Sequence, residues 1–286
     1  TKYIPASGPF FIQTYSSQIT SETPELFIGV KMVDDTTNYE KLALFYDQLM
    51  QGIDYEAWVS YVEGLVAKFQ GKVHSVADLA CGTGNSTIPW AKRGYHTIGV
   101  DLSAEMLDIA CRKAVRQGYG IEFQQCDLCC LRLDQMVDLA VCFQDGLNYI
   151  LDINKLDATF QSVFANLNEE GFFIFDLNYV PRLFPQSNED SVEEPGGYSL
   201  AWSTRYDEQE QLWEIKITGK FKEDRGEWVD LEETHKEKVY DLEDVLSLLI
   251  NSGFTLLGTY QAFTFYPPHT GTPRIVYIAQ KTAPGK

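Results

Sequence analysis

The stretch from Val76 to Asn85 places the tightest constraint on the fold. It reads Val-Ala-Asp-Leu-Ala-Cys-Gly-Thr-Gly-Asn, an apolar run that passes directly into a glycine-rich turn. This order predicts a β-strand, a tight loop and the start of a helix, where backbone N–H groups approach a bound ligand closely. Asp78 stands four residues before Gly82, where a carboxylate would repel a pyrophosphate and attract a cation. The stretch therefore predicts a βα unit built for a positively charged ligand.

Apolar strands alternate with helices through the middle of the chain. The predicted strands are 73–79, 96–101, 121–124, 137–143 and 172–177, and the helices between them are 85–93, 103–117 and 154–167. Two further helices, 39–50 and 55–69, are predicted before the first strand because apolar residues recur three and four positions apart. Continuous apolar strands that alternate with helices indicate a parallel sheet covered on both faces. We predict an α/β fold with a doubly wound, mostly parallel seven-stranded sheet.

The pattern changes after residue 181. Three β-rich runs separated by polar turns, 198–206, 211–221 and 228–240, predict an antiparallel β insertion with one face in water. A helix at 242–251 and a hairpin of 254–265 with 274–280 close the fold. We divide the chain into an irregular N-terminal extension, a core and the insertion. These parts span residues 1–36, 37–180 with 241–286, and 181–240.

The charge balance bears on the partners. The chain carries 41 acidic residues against 23 Lys and Arg, for a net charge of −18. Nucleic acid is therefore not expected as a partner, because it needs a basic surface. The apolar runs 137–143 and 171–177 are too short to span a bilayer, and the N-terminus lacks a signal-peptide pattern. We expect no membrane partner and a cytoplasmic protein.

Six cysteines fall at positions 81, 111, 126, 129, 130 and 142. They cluster where core strands are predicted, which favours reduced thiols over a disulfide framework. Cys126, Cys129 and Cys130 have a spacing that zinc sites use, but no second ligand pair follows. We predict no metal site.

Several motifs together resemble the class I S-adenosylmethionine-dependent methyltransferases, and in particular their small-molecule methyltransferase-like subfamily. The motifs are Tyr-Asp at 46–47, Asp-Leu-Ala-Cys-Gly-Thr-Gly-Asn at 78–85, Val-Asp-Leu-Ser at 100–103, Asp-Leu at 127–128, Asn-Tyr-Ile at 148–150 and Phe-Ile-Phe-Asp at 173–176. The resemblance spans about residues 39 to 280. It implies S-adenosylmethionine as the cofactor, whose ammonium and sulfonium groups would supply the expected positive charge. Ala80 replaces the first loop glycine of the family.

The resemblance implies a set of cofactor contacts. They are Tyr46, Trp58, Asp78, Ala80, Gly82, Gly84, Asn85, Asp101, Leu102, Met106, Asp127, Leu128 and Phe143. Asp78 would lie near the ammonium group and Asp101 would accept both ribose hydroxyls, while Asp127 would accept from the adenine amino group. Leu102, Met106 and Leu128 would sandwich the adenine ring. Tyr46 and Trp58 would cover the methionine end.

Each assignment has a plainer alternative. The glycine turn could bind nothing, and Asp101 could cap the next helix. Asp127 could be a solvated loop acid. Tyr46 and Trp58 could be ordinary core aromatics, because aromatic residues at helical spacing usually are.

The methyl acceptor is expected in the crevice beyond the strand ends. Asp145 and Asn148 follow the fourth strand and could orient the acceptor, or Asp145 could simply cap the next segment. Asn178, Tyr179 and Arg274 are candidate substrate contacts, or residues that only end or stabilise strands. His235, on the insertion, matches a histidine of the subfamily and could be a general base, or could merely hydrogen-bond a neighbour.

The resulting prediction is a methyltransferase that acts on a small molecule, with a nitrogen acceptor favoured over oxygen, by direct in-line transfer. The insertion would shape the acceptor pocket. Alternatives are a peptide methyltransferase and a non-catalytic S-adenosylmethionine-binding module. An NAD-dependent dehydrogenase is disfavoured because Thr87 replaces the third glycine of Gly-x-Gly-x-x-Gly. The oligomeric state stays open.

Overall fold

The computed structural model describes residues 42–179, 190–194, 198–222 and 226–282. The predicted extension 1–36 and the predicted helix start at Tyr39 lie outside these ranges. The helices are α1 Ala43–Leu49, α2 Tyr55–Lys68, α3 Thr87–Lys92, α4 Ala104–Gln117, α5 Ile153–Asn166 and α6 Leu242–Asn251. The strands are β1 Ser75–Leu79, β2 His96–Asp101, β3 Glu122–Gln125, β4 Val137–Cys142, β5 Leu167–Asn178, β6 Asp190–Glu194, β7 Tyr198–Asp207, β8 Leu212–Lys222, β9 Trp228–Lys238, β10 Phe254–Gln261 and β11 Arg274–Lys281.

The larger sheet has seven strands in the order β10-β11-β5-β4-β1-β2-β3. Strands β1 to β5 run parallel, and β11 pairs antiparallel with β5 and β10. The predicted doubly wound, mostly parallel α/β fold is confirmed. Chain order reverses beside β1, because β2 lies on one side of it and β4 on the other. Such a reversal opens a crevice at the strand carboxyl ends, where doubly wound sheets bind ligands.

Both faces of this sheet are buried, which explains the continuous apolar strands. One cluster of buried side chains joins the sheet to α5 and α6, and a second joins the other face to α2 and Trp90. In β5, all six residues from 172 to 177 are buried. A period of two in hydrophobicity is therefore absent, as expected for a strand between two layers.

The insertion forms a separate four-stranded antiparallel sheet in the order β6-β7-β8-β9. Strand β6 lies in a segment predicted to be a polar loop, so the insertion has one strand more than predicted. Burial alternates along β9, where Leu231, Glu233, His235 and Glu237 are buried and the residues between them are exposed. The covered face of β9 thus carries three ionisable side chains, which points to a polar site beneath the insertion.

Helix α1 packs on the insertion. Leu42, Phe45 and Leu49 share a cluster with residues of β7, β8 and β9, and the Phe45 ring lies 4.5 Å from that of Tyr198. The helix therefore links the insertion to the core. Among the described residues, no helix combines the length and the apolar character that a membrane crossing needs.

Candidate functional site

The loop after β1 turns sharply at three positions with positive φ. The angles are 53° at Ala80, 54° at Gly82 and 77° at Gly84. Glycine adopts this region freely, whereas an alanine there stores strain of about 1 kcal/mol. The Cys81 amide donates to the Val100 carbonyl at 3.0 Å, which keeps the loop against β2. The loop is thus a tight turn at the crevice.

Asp78 lies at the carboxyl end of β1 with an exposed fraction of 1%. Its Oδ2 accepts hydrogen bonds from Ser86 Oγ at 2.7 Å and Thr87 Oγ1 at 2.6 Å, while its Oδ1 has no partner. Burial raises the pKa of Asp78 to about 6, although the two hydroxyls oppose this shift. A buried carboxylate oxygen without a partner is costly unless a donor or a cation meets it. The residue therefore fits the ammonium group of S-adenosylmethionine.

Asp101, at the end of β2, connects the glycine loop to α4. Its Oδ2 accepts from the Gly82 amide at 2.7 Å, and its Oδ1 accepts from the Ser103 amide at 2.9 Å. Ser103 caps α4 by accepting from Met106 N, so Asp101 is not the helix cap. Each carboxylate oxygen can accept a further hydrogen bond, as the predicted ribose contact requires.

The predicted adenine contacts follow β2 and β3. Asp127 accepts from the Cys129 amide at 3.0 Å and caps a short 3-10 turn, so it is more than a solvated acid. Leu102 is exposed, whereas Met106 and Leu128 are buried among their neighbours. Of these three apolar side chains, Leu102 is therefore the one that an adenine ring could reach from solvent. The adenine contacts stay a prediction.

Helix α1 lies against the glycine loop. A Cβ atom at Gly82 would lie 3.9 Å from the Tyr46 ring, so Tyr46 is positioned to cover the loop. Asp47 fastens the helix, because it accepts from Thr83 Oγ1 at 2.5 Å, Asn85 Nδ2 at 2.9 Å and Lys113 Nζ at 2.7 Å. The sequence analysis marked Asp47 only as part of a motif, and its partners lie 36 to 66 residues away.

Trp58 and Phe143 stack on each other in a buried cluster. Trp58 has an exposed fraction of 2%, and its ring stacks on Phe143 at 5.1 Å and packs against Phe263 at 4.5 Å. The apolar face of α2 packs on the sheet and carries Trp58 into the core. The structure thus places both side chains in an aromatic core cluster, and their contact with the cofactor stays a prediction.

Tyr55, the first residue of α2, was missed by the sequence analysis. Its hydroxyl lies within hydrogen-bonding reach of Asn85, and burial raises its pKa, as do the nearby carboxylates of Asp47, Asp78 and Asp145. The phenol therefore lies between the glycine loop and the end of β4. In the sequence, only the position of Tyr55 directly after the helix N-cap could have marked it as a candidate.

The turn after β4 is pressed against the glycine loop. Gln144 and Asp145 both have left-handed backbones, with φ of 56° and 57°. A Cβ atom at Gly146 would lie 2.9 Å from Ala80 Cβ and from Cys142 Sγ. Two consecutive left-handed residues store strain, which is common where a turn must present a side chain to a ligand. This turn sets Asp145 beside the cofactor loop.

Arg274, at the start of β11, holds Asp145 and Asp176 together. Its Nη2 lies 2.7 Å from Asp145 Oδ1, and its Nη1 contacts Asp176 Oδ2, which also accepts from the Asp145 amide at 3.2 Å. Burial opposes the guanidinium charge, but the two carboxylates outweigh burial and raise the pKa of Arg274. The guanidinium is therefore occupied by two aspartates, and the expected contact with a substrate carboxylate is not supported.

Glu237, on the covered face of β9, completes this group. Its side chain is buried, and its Oε2 accepts from Asn178 Nδ2 at 3.1 Å. Burial and then the neighbouring Asp145 carboxylate raise the pKa of Glu237 to about 8. Sequence reasoning missed Glu237, although its even spacing from Leu231 places it on the apolar side of the strand.

The side-chain amide of Asn148 is bonded to backbone groups of two strands, and its expected catalytic role stays a prediction. It is fully buried, and its Nδ2 donates to the Lys238 carbonyl at 2.7 Å and to the Asn178 carbonyl at 3.4 Å, while its Oδ1 accepts from the Asn178 amide at 3.1 Å. Its amide is therefore used to join β5 to β9. Tyr179 packs at the edge of the core, and its amide donates to the Pro273 carbonyl. Of the predicted acceptor contacts, Asn178, Asp145 and Arg274 lie at the crevice.

His235 lies on the covered face of β9. Its Nε2 is 3.1 Å from Glu233 Oε2, and its ring meets Tyr149 edge-on at 6.0 Å. Glu233 Oε1 accepts in turn from the Leu42 amide at 2.9 Å. His235 is thus part of a connection between the insertion and α1, and its role as a base stays a prediction.

In the parts of the chain that the structure describes, no cluster of three or more His, Cys, Asp or Glu side chains is arranged to hold a metal ion. All six cysteines, including the group at 126, 129 and 130, are free thiols.

Replacing Asp47 by alanine should raise the dissociation constant for S-adenosylmethionine about tenfold. The change removes charge-assisted hydrogen bonds that hold α1 against the glycine loop and leaves the half-buried Lys113 without its carboxylate. Calorimetric titration measures the effect. Asp108→Ala is the control, because Asp108 lies on the exposed side of α4 and pairs with Arg112. Equal dissociation constants for the two variants would contradict the fastening role.

Comparison with known proteins gives a consistent result. Residues 76–171 match a family model described as a methyltransferase domain. A protein of Geobacillus sp. (strain WCH70) that carries a methyltransferase name without a stated substrate is 31% identical over 85% of this chain and 99% of its own length. A dTDP-3-amino-3,4,6-trideoxy-alpha-D-glucopyranose N,N-dimethyltransferase of Streptomyces venezuelae is 29% identical over 49% of this chain and 57% of that protein. The crystal structure of an S-adenosylmethionine-dependent methyltransferase from Clostridium acetobutylicum ATCC 824 superposes with a TM-score of 0.76 at 27% identity, covering 86% of this chain and 99% of the other.

Proposed function

The chain belongs to the S-adenosylmethionine-dependent methyltransferases, and we propose that it methylates a nitrogen atom of a small molecule. One observation carries the choice of nitrogen. Three buried or half-buried carboxylates, those of Asp145, Asp176 and Glu237, stand at the crevice with one guanidinium, that of Arg274. This excess of negative charge favours an acceptor that arrives as a cation.

The cofactor supplies an electrophilic methyl group and a neutral leaving group. The protein therefore needs little covalent chemistry, and positioning of the acceptor supplies most of the rate, up to about 7–11 kcal/mol. Asp78 would hold the ammonium group of the cofactor. We call the group of Asp145, Asp176, Glu237 and Arg274 the acceptor wall, and the strained turn at Asp145 sets it beside the glycine loop.

The competing acceptor classes fit this wall less well. A hydroxyl compound brings no positive charge to the three carboxylates. A carboxylate compound would need a free guanidinium, and Arg274 is already paired with two aspartates. The relative from Streptomyces venezuelae, whose name describes N,N-dimethylation of an amino sugar, supports the same choice. For the peptide alternative, residues 1–36 could help as a clamp, but they lie outside the described residues.

A paired acceptor panel tests the proposal. Each pair shares a carbon skeleton and differs only in an amine or a hydroxyl group, as D-glucosamine and D-glucose do; phenols, carboxylates and a lysine peptide complete the panel. We expect release of S-adenosylhomocysteine and a mass gain of one methyl group with at least one amine, and at least 100-fold slower release with its hydroxyl partner. Turnover confined to hydroxyl or carboxylate compounds, or turnover with none of the panel, would contradict it.

A further inference from the structure

The charges at the acceptor wall do not balance. Arg274 directly contacts Asp145 and Asp176, which leaves Glu237 outside its two ion pairs. In addition, Asp176 Oδ1 is fully buried and has no partner. Buried carboxylates without a counter-charge cannot all be ionised at low cost. A proton or a cationic ligand must therefore supply the missing positive charge.

The proposed function provides a cation of this kind, and the following inference depends on it. We propose that Glu237 is the general base that removes a proton from the ammonium group of the acceptor, in an acceptor site closed by Asp145 and Asp176. No motif of the sequence analysis included Glu237. It reaches the crevice from the insertion, whereas both aspartates come from the core sheet.

Contacts around Glu237 fix its carboxylate at the crevice. Asn178, the last residue of β5, donates from Nδ2 to Glu237 Oε2 at 3.1 Å. The other neighbour is Asp145, which lies within hydrogen-bonding reach of Glu237 and belongs to the turn that touches the glycine loop. The Glu237 carboxylate is thus held by Asn178 of the core and lies beside Asp145, whose turn abuts the glycine loop.

The neighbouring candidates are less suited to the same task. Asp145 and Asp176 each contact the Arg274 guanidinium, so an oxygen of each carboxylate is already engaged by a cation. His235 lies 3.1 Å from Glu233, which ties it to the start of α1. Glu237 is the carboxylate of this wall that has an amide donor and no arginine contact.

The proton transfer balances as follows. The acceptor enters as R–NH₃⁺, and the ionised Glu237 carboxylate takes one proton, which gives R–NH₂ and a neutral carboxylic acid. The nitrogen lone pair then forms the N–C bond while the S–C bond breaks, and the sulfur keeps that bonding pair and becomes an uncharged thioether. The product leaves as R–NH₂⁺–CH₃, and Glu237 returns its proton to water.

The basicity of Glu237 suits this step. Burial and Asp145 raise its pKa to about 8, which is closer to the pKa of an alkylammonium ion than that of an ordinary glutamate. A proton acceptor is most effective when its pKa lies near the working pH and near that of its partner. The covered position of Glu237 and its basicity thus support the same role.

The test compares two acceptors that differ in charge. The first is the most active alkylamine of the panel, which is cationic at pH 7, and the second is the O-alkylhydroxylamine of the same skeleton, which is neutral at that pH and needs no base before it attacks. Glu237→Gln should lower kcat with the alkylamine about 10²–10⁴-fold, and with the hydroxylamine only a few-fold. The dissociation constant for S-adenosylmethionine should change less than threefold.

Glu232→Gln is the matched control, because Glu232 lies on the exposed side of β9 and pairs with Lys216. It should leave both rates within twofold. The rate of the wild type with the alkylamine should rise with pH through the pKa of Glu237. In Glu237→Gln the inflection at that pKa should be absent, and the rate should follow only the neutral fraction of the amine.

The outcomes separate the two proposals. If Glu237→Gln slows both acceptors equally, the residue has a structural role and the base assignment is overturned, while nitrogen methylation stands. If the variant retains the wild-type rate with the alkylamine, the assignment is overturned in the same way. If the wild type methylates no amine, the proposed function itself fails, and the inference fails with it.

Discussion

Replacing Arg274 by alanine should lower the free energy of unfolding by about 3–5 kcal/mol, because it removes the counter-charge of two buried or half-buried carboxylates. Asp176 is fully buried and Asp145 is mostly covered, and the Arg274 guanidinium contacts both. Denaturation by urea at pH 7 measures the loss. Arg112→Ala is the control, since Arg112 forms an exposed i, i+4 pair with Asp108 and should change stability by less than about 0.5 kcal/mol.

The loss in Arg274→Ala should depend on pH. Burial already raises the pKa of Asp176, and loss of the guanidinium should raise it further. An acid whose pKa is raised by folding binds more protons in the folded state, so stability falls as pH rises above its ordinary value. The variant should therefore regain stability as the pH is lowered from 7 toward 5. Asp176→Asn in the same background should restore part of the loss at pH 7, and a loss below about 1 kcal/mol would contradict the paired arrangement.

The core of this fold is predictable from sequence because its signals are local. The parallel strands are buried on both faces, so each appears as a continuous apolar run, and the glycine loop needs residues with positive φ at fixed spacing. Asp78 and Asp101 were selected for the same reason, since Asp78 is next to last in β1 and Asp101 is last in β2, at strand ends that open onto the crevice. A site residue can be predicted from local sequence spacing when the end of its own strand places the side chain at the crevice.

The acceptor wall is less predictable because its contacts join distant segments. Arg274 and Asp176 are 98 residues apart, and Glu237 and Asn178 are 59 apart. The sequence analysis selected Asn148 and Arg274 for their positions near strand ends, and in the structure both side chains also connect strands. It passed over Tyr55 and Glu237, whose environments depend on how α2 and the insertion fold back onto the core. Strand β6 was missed because its polar residues resemble a loop.

Replacing Asp78 by asparagine should raise the dissociation constant for S-adenosylmethionine about 10–100-fold. Asparagine keeps the size of the side chain and still accepts from Ser86 and Thr87, but it presents no negative charge to the ammonium group. Hydrogen bonds to charged groups contribute about 1.5–3 kcal/mol, which corresponds to this range. Calorimetric titration at pH 7.5 measures it. An unchanged constant would remove Asp78 from the cofactor site.

The affinity of the wild type should also depend on pH. The pKa of Asp78 is raised to about 6 in the absence of a ligand, and a bound cation stabilises the ionised form. Affinity should therefore fall as the pH drops below about 6, and it should be constant above about 7. In Asp78→Asn, the fall in affinity below about pH 6 that comes from Asp78 should be absent. A variant that is merely damaged at the site would keep this fall, so the measurement separates the two explanations.

Asp138→Asn is the control for Asp78→Asn, because it should change stability and leave cofactor affinity unchanged. Asp138 lies on β4 at the amino ends of the strands, far from the glycine loop, and hydrogen bonds from Asn168, His74 and Ser75 outweigh burial and lower its pKa. Its charge should stabilise the fold above the ordinary pKa of an aspartate, and that contribution should be lost as the pH falls. Asp138→Asn should therefore reduce stability at pH 7 without changing cofactor affinity. The two aspartates lie on adjacent strands of one sheet. The unpartnered Oδ1 of Asp78 suits it to a ligand, whereas the satisfied hydrogen bonds of Asp138 suit it to the fold.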